Sequence, residues 1–163
     1  MKTAVYTGSF DPITLGHLNV IERSAKLVDK LVIGIGINSE KKGLFLPQER
    51  LDLVLRVTSH LSNIEVKTFE GLAVNFVKSC DAKVMIRGVR PLTDIAAEFT
   101  MMMANRQLNE ELETVFLMAD GNYAHVSSSL IKQITPLADD EQLAKFVPSE
   151  IVPDLRNKLQ NPA

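Results

Sequence analysis

Four short stretches of this 163-residue chain gather residue types that can hold phosphates. GSFDPITLGH at 8–17 has Gly8 and Pro12 where a chain bends, and it ends in Gly16-His17. If His17 opens a helix, unpaired backbone N–H groups and the positive end of the helix dipole lie beside an imidazole, ready for an anion. The same letters also read as a turn in which Ser9, Asp11 or Thr14 caps the helix. NSEKKGLF at 38–45 offers Lys41 and Lys42, and RGVRP at 87–91 sets Arg87 and Arg90 on either side of what we expect to be a tight glycine turn. Guanidinium groups match phosphate oxygens with paired N–H donors. GNYAHVSSSLIKQ at 121–133 puts Ser127, Ser128 and Ser129 at a helix start, with hydroxyls and backbone N–H groups to offer. The bland alternatives are surface lysines and a single serine cap.

The elements that must position these stretches alternate along the chain. Strand-like runs at 2–7, 30–37, 64–69, 83–87 and 114–119 are separated by helix-like segments. The helices are expected from His17, from Pro47 through QERLDLVLRVTSHL, over LAVNFVKS, from about Leu92 to Leu108, and over VSSSLIKQI. Apolar runs such as VIGIGI and VFLMA suit a sheet covered on both faces. With right-handed crossovers that means an α/β, doubly wound, five-stranded parallel sheet in a single domain spanning 1–163, whose tail after about 158 frays. Ligands of such sheets bind beyond the carboxyl ends of the strands, where all four stretches fall.

Composition narrows the classes of partner. With 45% hydrophobic and 23% charged residues the chain can bury one core, and a net charge of −2 lacks the basic stripe that a nucleic-acid partner needs. The start at Met1 runs straight into a strand with no leader or long apolar stretch, so we expect no membrane association and a cytoplasmic location. The single cysteine, Cys80, sits in an apolar run and reads as a buried structural thiol. One cysteine and three separated histidines make no metal-ligand spacing. His60 reads as a residue at a helix C-terminus.

The chain resembles the phosphopantetheine adenylyltransferase family, part of the nucleotidylyltransferases marked by T-x-G-H. The resemblance rests on GSFDPITLGH, KKGLF followed by ER, NFVKSCDAKVMIRGVR, ELETVFLM and VSSSLIK, in family order from residue 4 to about residue 134. Thr14 to His17 mark only the superfamily, whereas IRGVR and SSSLIK are narrower. The resemblance implies a Rossmann-like fold, a homohexamer, and Mg²⁺ accompanying ATP, with no metal held by protein side chains. It implies 4′-phosphopantetheine as acceptor, dephospho-coenzyme A and pyrophosphate as products, and coenzyme A as a candidate feedback inhibitor.

By the same resemblance His17 stabilises the transition state, and Ser9, Lys41 and Arg90 act with it. Ser9, Lys41 and Arg87 hold the acceptor, with Leu72 and Ala73 along its pantetheine arm. ATP falls to Ser9, Phe10, His17, Gly88, Val89, Arg90 and Glu98, and to the run Tyr123, Ala124, His125, Val126, Ser127, Ser128 and Ser129. His125 stands where an apolar residue is usual and reads as a surface or packing residue within that run. Thr7 stands where proline is common, Ala97 where tyrosine is common, and Gln133 where glutamate follows the lysine. A sister transferase with another phosphate acceptor, or an inactive nucleotide-binding module, would share much of this pattern.

Overall fold

The computed structural model describes residues 2–38, 40, 42–90 and 95–160. Five strands, β1 (Thr3–Gly8), β2 (Lys30–Ile37), β3 (Ile64–Glu70), β4 (Val84–Val89) and β5 (Glu113–Met118), form one parallel sheet in the order β3-β2-β1-β4-β5. The helices are α1 (Leu15–Ala25), α2 (Pro47–Val57), α3 (Ala73–Ser79), α4 (Ile95–Leu108), α5 (Ser128–Ile134), α6 (Asp140–Leu143) and α7 (Val152–Gln160). The fold is therefore the expected Rossmann-like α/β sheet. Its strand order reverses between β1 and its neighbours β2 and β4, which opens a crevice at their carboxyl ends.

Period-two alternation sorts the two faces. Ala4, Tyr6, Leu31, Ile33, Ile35 and Ile86 point into a core closed by α1, α2, α5, α6 and α7. Val5, Val32 and Met85 point the other way, against Val74, Phe76 and Val77 of α3. Gly34 lets α3 come close, since a Cβ there would lie 2.3 Å from Phe76, whose ring is stacked on Phe69 at 4.4 Å. Helix α4 covers the sheet only thinly: its Ile95, Phe99, Met101, Met103 and Leu108 are all about half exposed or more, and Asn105 is its buried residue. No helix among the described residues is long and apolar enough to cross a membrane.

Several boundaries differ from the sequence reading. Helix α1 begins at Leu15, capped by Thr14, so His17 is its third residue rather than its first. Helix α2 stops at Val57, because the Thr58 hydroxyl donates to the Val54 carbonyl and the Thr58 carbonyl accepts from Leu61 N–H. His60 thus lies beyond the helix, 2.9 Å from Glu22 Oε1. No glycine turn separates Arg87 from Arg90: β4 runs on through Gly88 and Val89, which pair with Leu117 and Met118 of β5. The left-handed residue after β1 is Phe10, at φ 46°, and not Gly8. Helix α7 continues to Gln160, past the expected fraying point, while 161–163 and 91–94 lie outside the described residues. Cys80 is partly rather than fully buried.

Candidate active site

The loop from β1 to α1 is built to present His17. Thr14 caps α1 by accepting from His17 N–H at 3.3 Å, and Thr14 N–H donates back to His17 Nδ1 at 3.1 Å. An Nδ1 that accepts a backbone N–H carries no proton of its own, so the neutral ring has its hydrogen on Nε2. The ring edge rests on Phe10 at 5.1 Å, and Phe10 meets Tyr6 edge-on at 5.4 Å. Phe10 is fully buried, and its ring fills the space that a Cβ on Gly8 would need, 3.0 Å away. That packing offsets the cost of a bulky residue at positive φ, about 1–3 kcal/mol. Burial, with Arg90 and then Arg87 nearby, holds the His17 pKa down to about 4. His17 is accordingly a neutral N–H donor at pH 7.

Arg87 lies on β4 and Arg90 directly follows its last residue, and the two side chains leave on opposite sides of the sheet. Arg87 reaches toward α4, where Nε and Nη2 donate to the two Glu98 oxygens at 2.8 and 2.7 Å, while Nη1 donates to the Thr7 carbonyl at 2.6 Å. Arg90 turns to the α1 and α5 side and donates to the Val126 carbonyl at 3.4 Å. Gly88 between them keeps Tyr6 and α1 close, since a Cβ would lie 3.0 Å from Tyr6 Oη and 3.2 Å from Val20. Burial raises the Tyr6 phenol pKa, so it stays a hydroxyl.

Two cavities meet at the strand ends. One, of about 320 Å³, is lined by His17, Gly88, Val89, Arg90, Tyr123, Val126 and the three serines. The other, of about 520 Å³, opens between β3, α3 and α4 and is lined by Leu72, Ala73, Phe69, Met85, Met102 and Asn105 among others. Thr7, Gly8, Ser9, Arg87 and Glu98 line both. Of the serines, Ser127 caps α5 through Leu130 N–H, Ser128 Oγ donates to the Pro12 carbonyl at 2.9 Å, and Ser129 lines the cavity.

Other residues of the sequence reading fall elsewhere. Phe10 lies beneath His17 rather than on a cavity wall, Ala124 is not among the lining residues, and His125 packs edge-on against Phe146 at 5.8 Å. Lys41 lies outside the described residues.

Asp11, one candidate cap in the sequence, turns inward in the structure as a tie between two loops and helix α5. Its carboxylate accepts from Leu44 N–H and Phe45 N–H, both at 2.8 Å, and from Lys132 Nζ of α5 at 2.6 Å. Arg50 Nε stands 3.6 Å away and donates to the Phe45 carbonyl. Burial alone would raise the Asp11 pKa, but the Lys132 and backbone hydrogen bonds outweigh it and leave it below the usual value. The segment that follows Lys41 is thereby bound to the histidine loop and to the serine helix. Neither Arg50 nor Tyr6 stood out by residue type, and Asp11 did so only as a cap, because the partners that give them their roles are distant in sequence.

Comparisons with known proteins agree with this fold. A family model described as cytidylyltransferase-like matches residues 5–134. A phosphopantetheine adenylyltransferase of Rhodopirellula baltica is 65% identical over 98% of this chain and 90% of its own length. One of Clostridium botulinum is 46% identical over 99% of this chain and 97% of its own. Among solved structures, a Plasmodium falciparum nicotinic acid mononucleotide adenylyltransferase superposes with a TM-score of 0.69 at 15% identity, over 98% of this chain and 96% of that one. A lipopolysaccharide core biosynthesis protein of Thermoplasma volcanium gives 0.52 at 22% identity, over 74% and 97%. At such identities these two likenesses speak for the fold alone.

Proposed function

The chain belongs to the phosphopantetheine adenylyltransferase family, and from that premise we propose how its residues move AMP from ATP onto the phosphate of 4′-phosphopantetheine. The enzyme is a nucleotidyltransferase of coenzyme A synthesis. The observation that carries the mechanistic reading is the pair of cavities sharing one wall at Thr7 to Ser9, Arg87 and Glu98. Two anionic substrates set on either side of that wall bring an acceptor oxygen and an α-phosphorus together, which is the positioning that phosphoryl transfer needs.

In this reading the triphosphate occupies the smaller cavity, its β- and γ-phosphates against Arg90 and the start of α5. The acceptor lies in the larger one, its apolar arm along Leu72 and Ala73 and its phosphate at Arg87 and Ser9. The attacking group is a phosphate oxygen, already ionised at neutral pH, so no base is needed. A bond forms from that oxygen to the α-phosphorus, the bond to the bridging oxygen of the leaving group breaks, and pyrophosphate departs. Charge that grows on the non-bridging α-oxygens is met by the Nε2–H of His17, which is held in place before the reaction.

Among the described residues no group of three or more His, Cys, Asp or Glu side chains gathers, and Glu98, the carboxylate lining both cavities, is engaged with Arg87. A magnesium ion accompanying ATP would be held by phosphate oxygens and water and would supply further charge neutralisation there. A reducing cytoplasm suits the free thiol of Cys80.

Pyrophosphate release from ATP and Mg²⁺ is expected with 4′-phosphopantetheine and not with nicotinate mononucleotide, glycerol 3-phosphate or no acceptor. Release with another acceptor alone would keep the in-line path and remove the acceptor named here; ATP binding without release would leave a nucleotide-binding module.

The thinly covered face around α4 supports the homohexamer of the family. Phe99, Met101 and Met103 on α4 and Met118 on β5 are each at least half exposed, and a neighbouring subunit would cover such side chains. Sedimentation should give six times the 18.1 kDa chain mass, and a monomer at micromolar concentration would refute the assembly.

A further inference from the structure

The ladder between β1 and β4 ends at Tyr6↔Ile86, whereas β4 stays paired with β5 through Val89. At this parting of strands the Arg87 side chain reaches back to Thr7, whose carbonyl and hydroxyl both receive Nη1, at 2.6 and 3.0 Å. Thr7 is buried, and its hydroxyl is itself oriented: it stands 4.0 Å from Met85 Sδ, a weak acceptor for the hydroxyl hydrogen. With the hydrogen turned to sulfur, the oxygen lone pairs face Arg87. Asn105 donates to the same sulfur at 3.9 Å.

We propose that the Thr7 hydroxyl is a positioning group for the acceptor's phosphate, acting through Arg87. The inference rests on the reading of Arg87 as the residue that binds that phosphate. Glu98 grips one edge of the guanidinium and Thr7 grips Nη1. A phosphate arriving at Arg87 competes with the Glu98 carboxylate for donors and repels it, since both are anions. The contacts to Thr7 carry no charge and do not compete with the phosphate in this way. As Glu98 yields, they go on holding Nη1 and with it the guanidinium plane.

The test is steady-state kinetics on Thr7→Val, Thr7→Ser and Arg87→Gln, with ATP and 4′-phosphopantetheine varied separately. Valine keeps the β-branched shape and the strand backbone and removes only the hydroxyl. Thr7→Val is expected to raise KM for 4′-phosphopantetheine about tenfold, the loss of one hydrogen bond to a charged group, and to leave KM for ATP within about twofold. Thr7→Ser is expected to restore the acceptor KM, and Arg87→Gln to raise it further. A structural role alone would not give this selectivity or this rescue.

An unchanged acceptor KM in Thr7→Val beside a raised one in Arg87→Gln would overturn the role of Thr7 and leave that of Arg87 standing. Equal rises for both substrates in Thr7→Val, or no rescue by serine, would also overturn it. An acceptor KM that Arg87→Gln leaves unchanged would overturn the reading of Arg87 on which the inference stands.

Discussion

Replacing His17 with alanine is expected to lower kcat by about two to three orders of magnitude and to leave ATP affinity within a few-fold of the wild-type value. The size follows from the role. One preorganised N–H donor aimed at charge that develops only in the transition state contributes roughly 3–4 kcal/mol, and its loss appears in kcat rather than in ground-state binding. ATP affinity survives because Arg90 and the serines, not His17, are read as holding the terminal phosphates. Single-turnover kinetics beside equilibrium ATP binding separates the two; a kcat within tenfold of wild type would remove His17 from the chemistry.

The protonation state behind this prediction can be measured in the free protein. With a folded pKa near 4 against an ordinary value near 6.5, His17 stays neutral through the physiological range. Its ring proton resonances are therefore expected to hold still between pH 7 and pH 5. The unfolded chain takes up a proton on this residue as pH falls through 6.5 and the folded chain does not. The neutral ring thus makes folding progressively less favourable between pH 6.5 and about 4. A midpoint near 6.5 would mean an imidazolium at work and a different electrostatic account of the site.

Asp11→Ala is expected to destabilise the fold by roughly 3 kcal/mol, read as a shift in the urea midpoint at unchanged slope. The buried carboxylate serves two backbone N–H groups and two cations, and alanine removes the acceptor from each. Lys132 is 38% exposed and can turn to water, which puts the effect at the low end of what breaking a buried ion pair costs, whereas Arg50 is only 10% exposed at its side chain and cannot. The segment beyond Lys41 would keep other holds, since Arg50 donates to the Phe45 carbonyl and Glu49 accepts from Leu46 N–H at 2.6 Å and from Lys158 of α7 at 2.8 Å. A loss below about 1 kcal/mol would mean that Asp11 is not the tie described.

Much of the fold was legible because its signals are local. Apolar runs of strand length alternating with amphipathic segments yielded five parallel strands with helices between them, and Thr14 was among the caps foreseen for α1. The residues proposed for the anionic site stood out by type, since arginines, serines and a histidine just past strands have few structural reasons to gather there. What was misread was also local. RGVR was taken for a turn on its glycine, although Gly88 and Val89 pair with β5 and make the segment strand. Gly8 was taken for the bend, although its missing Cβ serves the ring of Phe10 two residues on.

By itself, then, the sequence determined the order of elements, the parallel sheet, the family and the residue types at its active edge. These follow from backbone propensity, periodicity and motif spacing, which act over a few residues. Only the tertiary structure decided which face each arginine takes, that His17 is a neutral donor with its proton on Nε2, and that Asp11 joins the histidine loop to a lysine 121 positions away. Those outcomes depend on crossover connections that bring distant segments within hydrogen-bond reach, and on burial that shifts a proton equilibrium. Neither leaves a periodic trace along the chain.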